Sequence, residues 1–213
     1  MSSGVIRWSG LAAMVGGILG AVLTFPFALA YDLAFPGNGA FPFWNPLAQA
    51  LFPLDFASGE QVYYTYGRLY FLTLLPELLA LYVLRRVRGR GLGAPERWGF
   101  RLSLVGMCLA VIGVFTDYWV PIPAGFLLVL VGTLPLVGGF VLLGVELRRV
   151  GVVPLWVALV VVGAAIATFP IMFFLVYHLP SGPLLTFHII WIVLGYVLWS
   201  GRSVLVEQPS RAS

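Results

Sequence analysis

Between Arg68 and Leu84 only Arg68, Tyr70, Thr73, Glu77 and Tyr82 interrupt an apolar run, which then breaks off at Arg85, Arg86, Arg88 and Arg90. At about 1.5 Å per residue this stretch approaches the roughly 30 Å of a bilayer's hydrocarbon. A backbone in that medium must satisfy its own polar groups, so the run predicts a spanning helix. Gly89, Gly91, Gly93 and Pro95 punctuate the arginines, and Arg97 and Arg101 open the next apolar segment. Cations crowded into a short loop mark the cytoplasmic side, where translocation is avoided and anionic headgroups attract them.

Five more apolar runs extend the pattern. The expected fold is all-α, an integral membrane bundle of six transmembrane helices in a single domain over 1–213, with helices at about 9–31, 67–86, 101–119, 124–147, 154–177 and 184–200. The inner arginine-rich loop covers 85–101. The long outer loop between helices 1 and 2 covers 32–65; it carries Asp32, Asp55 and Glu60 but no Lys or Arg. Its prolines and aromatics suit an interfacial cap, with a short helix at Asn45 to Leu51 and a belt continued by Tyr63, Tyr64 and Tyr66. Both termini are expected in the cytoplasm, in an inner membrane. Residues 1–30 also fit a cleavable signal peptide ending at Ala28-Leu29-Ala30, but the run is long for a signal core.

The chain is 61% hydrophobic and 9% charged, against about a quarter charged in soluble domains. All twelve cationic side chains are arginine, and the net charge is +4. No basic domain is large enough for nucleic acid, so lipid headgroups at the inner arginines are the expected partner. Cys108 is the single cysteine and excludes an intrachain disulfide.

Helix 1 carries Ala12, Gly16 and Gly20 at four-residue spacing, a smooth strip for close helix approach. Four helices place proline shortly after threonine: Thr24 and Pro26, Thr73 and Pro76, Thr133 and Pro135, Thr168 and Pro170. Each proline removes an amide, and the threonine hydroxyl is expected to bond the loosened backbone.

Glu77 is the sharpest candidate for chemistry, because an acid near mid-bilayer must be neutral, paired or wet. Tyr66, Tyr70 and Thr73 precede it at helical spacing and draw a polar stripe on its face. A second set lies at the outer surface: Asp32, Arg68, Asp117 and His178, with His188 about a turn into helix 6. Asp32, Asp117 and His178 are candidate ligands for a metal, though no local spacing ties them together. Interface capping, with Arg68 paired to Asp32 or Asp117, is the preferred reading of these charges. His188 is expected to reach Glu77 directly or through water, though axial counting sets it about 9 Å nearer the outside. A haem would need a second ligand, and only His178 is available. No Cys-x-x-Cys, His-Glu-x-x-His, phosphate-binding glycine loop or Gly-x-Ser-x-Gly occurs, and the residues imply no particular cofactor.

The opening Arg7-Trp8-Ser9-Gly10-Leu11-Ala12-Ala13-Met14-Val15-Gly16-Gly17 resembles the first helix of small multi-pass bacterial membrane proteins of unassigned activity. The resemblance implies a bacterial inner membrane and transfers no site residue. Three functions follow. The first is binding of a small ligand, proton or cation for transport or sensing, through an outward-facing cavity reaching Glu77. The second is an accessory role docked on a membrane-protein partner or a second copy. The third is an intramembrane enzyme acting on lipid or isoprenoid; the balance of features leans away from catalysis.

Overall fold

The structure, a computed structural model, describes residues 2–35, 58–89, 92–120, 124–175 and 182–201, with the isolated helical positions 46 and 50. Six helices are assigned in full: α1 (Ser3–Ala34), α2 (Gly59–Arg88), α3 (Ala94–Trp119), α4 (Ala124–Arg149), α5 (Leu155–Leu175) and α6 (Gly182–Ser200). Ser3–Tyr31, Gly59–Arg88, Ala94–Trp119 and Gly125–Arg149 are long and apolar enough to cross a membrane; Leu155–Ile171 and Leu184–Ser200 are shorter apolar segments. By length and composition this is a multi-pass helical membrane protein. Large apolar side chains such as Leu19, Val22, Leu79, Val105, Leu127 and Leu159 are exposed, as a lipid-facing perimeter requires.

Each helix packs on its neighbours in sequence and α6 returns to α1, so the six close into a ring. The tightest seam is α3 on α4. Gly99, Gly106 and Gly113 recur every seven residues and face Gly139, Gly132 and Gly125 in the reverse order that antiparallel helices demand. A methyl on Gly106 would lie 2.6 Å from the Gly132 carbonyl oxygen, and one on Gly132 would lie 2.9 Å from that of Gly106. Backbone meets backbone here, the geometry small residues permit between membrane helices.

On α1 the expected small-residue strip divides in three. Ala12 is exposed. Gly16 abuts Pro76 and the Thr73 carbonyl on α2, whereas Gly17 and Gly20 abut His188 on α6. Gly10 faces Leu198 and Trp199 on the same helix. α1 is therefore thin on two sides, and α2 and α6 come close enough behind it for their side chains to meet.

Helices extend further into polar sequence than hydropathy indicates. α2 begins at Gly59 because Ser58 closes a capping box: its hydroxyl accepts the Gln61 amide at 3.2 Å and Gln61 Oε1 accepts the Ser58 amide at 3.0 Å. α3 begins at Ala94, with Pro95 and Glu96 in its first turn. Arg85, Arg86, Arg88, Arg97 and Arg101, expected in an 85–101 loop, thus stand on helix ends. Gly89 takes φ +73°, a conformation suited to glycine. The rest of the outer loop (36–45, 47–49 and 51–57), Arg90, His178 and residues 202–213 lie outside the described residues, as does the Asp32 side chain.

The threonines behave differently from expectation. Thr24, Thr133 and Thr168 bond the carbonyls of Gly20, Val129 and Ala164, four residues behind themselves, and Thr73 bonds that of Tyr70. None reaches the carbonyl four residues behind its proline. A side chain in a helix leans toward the preceding turn, so its own i−3 or i−4 carbonyl is nearer.

At the arginine-rich end Arg88 clasps Glu96 through two contacts of 2.7 and 3.2 Å, tying the end of α2 to the start of α3. The Glu96 side chain is 2% exposed and that of Arg88 17%. Removing the carboxylate would strand a guanidinium with little access to water, so Glu96→Ala is expected to cost about 2 kcal/mol, below the range for fully enclosed pairs. Thermal unfolding in detergent checks this, with Glu60→Ala as an exposed control.

Candidate functional site

Glu77 and Tyr70 project from α2, two turns apart on one face, and His188 projects from α6 between them. His188 Nδ1 lies 2.7 Å from Glu77 Oε1, and its Nε2 lies 2.8 Å from the Tyr70 hydroxyl. All three side chains are fully buried. The Tyr70 and His188 rings meet edge to face at 5.1 Å. Gly20 on α1 supplies the room, since a methyl there would collide with the imidazole.

The axial offset expected between Glu77 and His188 is absent. α2 has 30 residues and α6 has 19, about 45 and 28 Å long. Their ends are therefore staggered, and counting from each end misjudges relative depth.

One imidazole with both nitrogens engaged makes the three groups a single hydrogen-bonded unit. With Glu77 ionised and His188 neutral, Nδ1–H donates to the carboxylate and Nε2 accepts from the Tyr70 hydroxyl. Adding one proton to give an imidazolium, or placing it on Oε1 so that the carboxyl donates to Nδ1, makes Nε2–H the donor to Tyr70; a proton on Oε2 leaves that bond as it was. Proton uptake at the imidazole or at Oε1 thus reverses the Tyr70 bond. Glu77 Oε2 has no hydrogen-bond partner among the described residues. Buried polar atoms in that state are uncommon and call for an explanation, whether a bound water or a chemical role.

Above the triad stands an aromatic stack, of which the sequence assigned Tyr63 to the outer belt. Phe27 on α1 stacks on Tyr63 at 5.1 Å and on Tyr70 at 5.6 Å, and meets Tyr118 edge-on at 5.3 Å. The Tyr63 and Tyr118 hydroxyls are 3.0 Å apart. Tyr63, Tyr70 and Glu77 follow each other at seven-residue spacing, the signal that could have placed Tyr63 inside. Tyr66 of the expected stripe is only half-buried, and Thr73 spends its hydroxyl on its own helix.

The outer-surface constellation resolves otherwise than expected. Arg68 donates to the Tyr118 carbonyl at 3.1 Å and lies over the Trp119 ring at 5.5 Å, and Asp117 is not its partner; the Asp32 side chain lies outside the described residues. Asp117 Oδ1 accepts the Phe126 amide at 3.0 Å and fastens the start of α4 across the turn. This acid is a helix cap, because helix-starting amides lack partners of their own. The expected metal set cannot be assembled here, as His178 and the Asp32 side chain lie outside the described residues; no cluster of three His, Cys, Asp or Glu is present among the described residues.

Two buried groups escaped the sequence reading. Ser103 Oγ and Trp191 Nε1 are enclosed without hydrogen-bond partners among the described residues. Trp191 is one turn along α6 from His188, against Phe140 at 5.8 Å. A cavity of about 620 Å³ opens between α1 and α2, lined by Trp8, Leu19, Gly16, Thr73 and Pro76 among others. It is apolar, and Glu77, Tyr70 and His188 are not among its lining residues.

The chain matches no family model, no curated protein and no solved structure, so the chemistry of the site stands on this geometry alone.

Proposed function

We propose that this is a bacterial inner-membrane protein, with both termini and the arginine-rich end on the cytoplasmic side, whose Glu77–His188–Tyr70 unit binds a proton for transport or sensing. The observation that carries the reading is an imidazole bridging a carboxyl and a phenol, all fully buried at mid-helix. Intramembrane acids and histidines are costly, are retained mainly when paired, and commonly mark proton relays or ligand sites. Of the ligands considered, a proton is the one that fits, because the groups are close-packed around the bonds they already share. Catalysis on a lipid is less well supported, since the described lipid-facing groove does not include the triad among its walls.

The reading has a direct test. Infrared difference spectra on acidification of the protein in liposomes are expected to show a carboxyl band and an imidazole change in the native chain. Both are expected to vanish in Glu77→Gln, whose amide can still donate to Nδ1 and keep the fold. Identical spectra from the two proteins would dispose of the proposal.

A further inference from the structure

A second cavity, of about 460 Å³, lies at the arginine-rich end between the α4–α5 turn and the last turns of α6. Its walls are Arg148, Trp156, Tyr196 and Ser200 on the polar side, with Val152, Val153, Pro154 and Val197 behind them. Arg149 is held by Glu146 at 3.3 Å, and Arg88 by Glu96. The Arg148 guanidinium has neither ion pair nor hydrogen bond to another described residue, and the residue is exposed. A cation, a phenol and a hydroxyl therefore surround one opening that has an apolar floor.

The turn itself is closed. Val150, Gly151, Val152 and Val153 amides return to Glu146, Arg148 and Leu147 carbonyls, and Gly151 takes φ +74°. The turn uses the Arg148 carbonyl but not its side chain, so the guanidinium is available to a ligand. Trp and Tyr together favour the depth where headgroup meets chain, and arginine forms paired hydrogen bonds to phosphate.

We propose that this cavity holds the phosphate of an anionic phospholipid, with Arg148 as its counter-ion, Tyr196 beside the headgroup, and the valines against the start of the acyl chains. A phosphate without a lipid tail offers the same charge but leaves the apolar floor uncovered, which favours the lipid as the source. The site is separate from Glu77 and does not depend on proton binding there.

Native mass spectrometry of the purified full chain with phosphatidylglycerol and phosphatidylcholine of matched chains tests it. Phosphatidylglycerol is expected to be retained preferentially. Arg148→Gln is expected to weaken that retention roughly fivefold, the scale of one arginine at an anionic surface, while Arg149→Gln leaves it unchanged. Equal retention of phosphatidylcholine, equal losses in the two variants, or displacement of the lipid by inorganic phosphate at the same concentration would each overturn the proposal.

Discussion

His188→Ala is expected to lower stability by about 3–5 kcal/mol, the range seen when one member of a buried pair is removed. The loss has three sources. Glu77 loses the partner of Oε1 while Oε2 already lacks one, so its whole carboxyl is left unpaired. The Tyr70 hydroxyl loses its bond to Nε2. A void also opens where the imidazole filled the space beside Gly20. Denaturant or thermal midpoints in detergent read the effect. A double variant, Glu77→Met with His188→Leu, is expected to recover most of the lost stability, because apolar side chains replace both polar groups. The same variant would have no carboxyl signal on acidification. Recovery of stability without the signal separates a functional proton site from a bond that serves packing alone.

Gly106→Leu is expected to prevent α3 from seating on α4. Its first side-chain carbon would fall 2.6 Å from the Gly132 carbonyl oxygen and 2.7 Å from the Leu136 amide nitrogen. Those are backbone atoms of a continuous helix and cannot turn aside as a side chain would. The helices would have to part along the seam, loosening Gly99 against Gly139 and Gly113 against Gly125 as well. A cost above about 3 kcal/mol follows, beyond the usual range for overpacking, and little folded protein should be recovered. Gly163→Ala is the matched control. A methyl there meets nothing within 4 Å, and the change should stabilise the helix by up to about 1 kcal/mol. Similar losses in both variants would show that the seam is not the close contact described.

The polar ends of helices were harder to read than their apolar middles. Gly59 to Thr65 and Pro95 to Trp98 are not apolar, so hydropathy assigned them to loops. The capping box at Ser58 and Gln61 and the proline-acid start at Pro95 and Glu96 were nevertheless present in the sequence as helix-start signals. The seven-residue glycine series was also present. Its partner was not, because identical spacing on two helices does not say which faces meet.

The amino-acid sequence by itself determined the class and the principal suspect. Apolar runs matched to bilayer thickness require helices, and a carboxyl placed within one of them must find company. The sequence offered His188 as one possible partner and Tyr70 as a neighbour on the same face; tertiary structure decided which of the offered contacts form. It brought His188 to Glu77 across 111 positions of chain, drew Tyr70 into the same unit, turned Asp117 into a cap and gave Arg68 to Tyr118 and Trp119. The reason is physical: periodicity along one helix assigns residues to a face, but stagger and the width of the neighbouring helix determine which faces touch. Here that width was set by Gly16, Gly17 and Gly20.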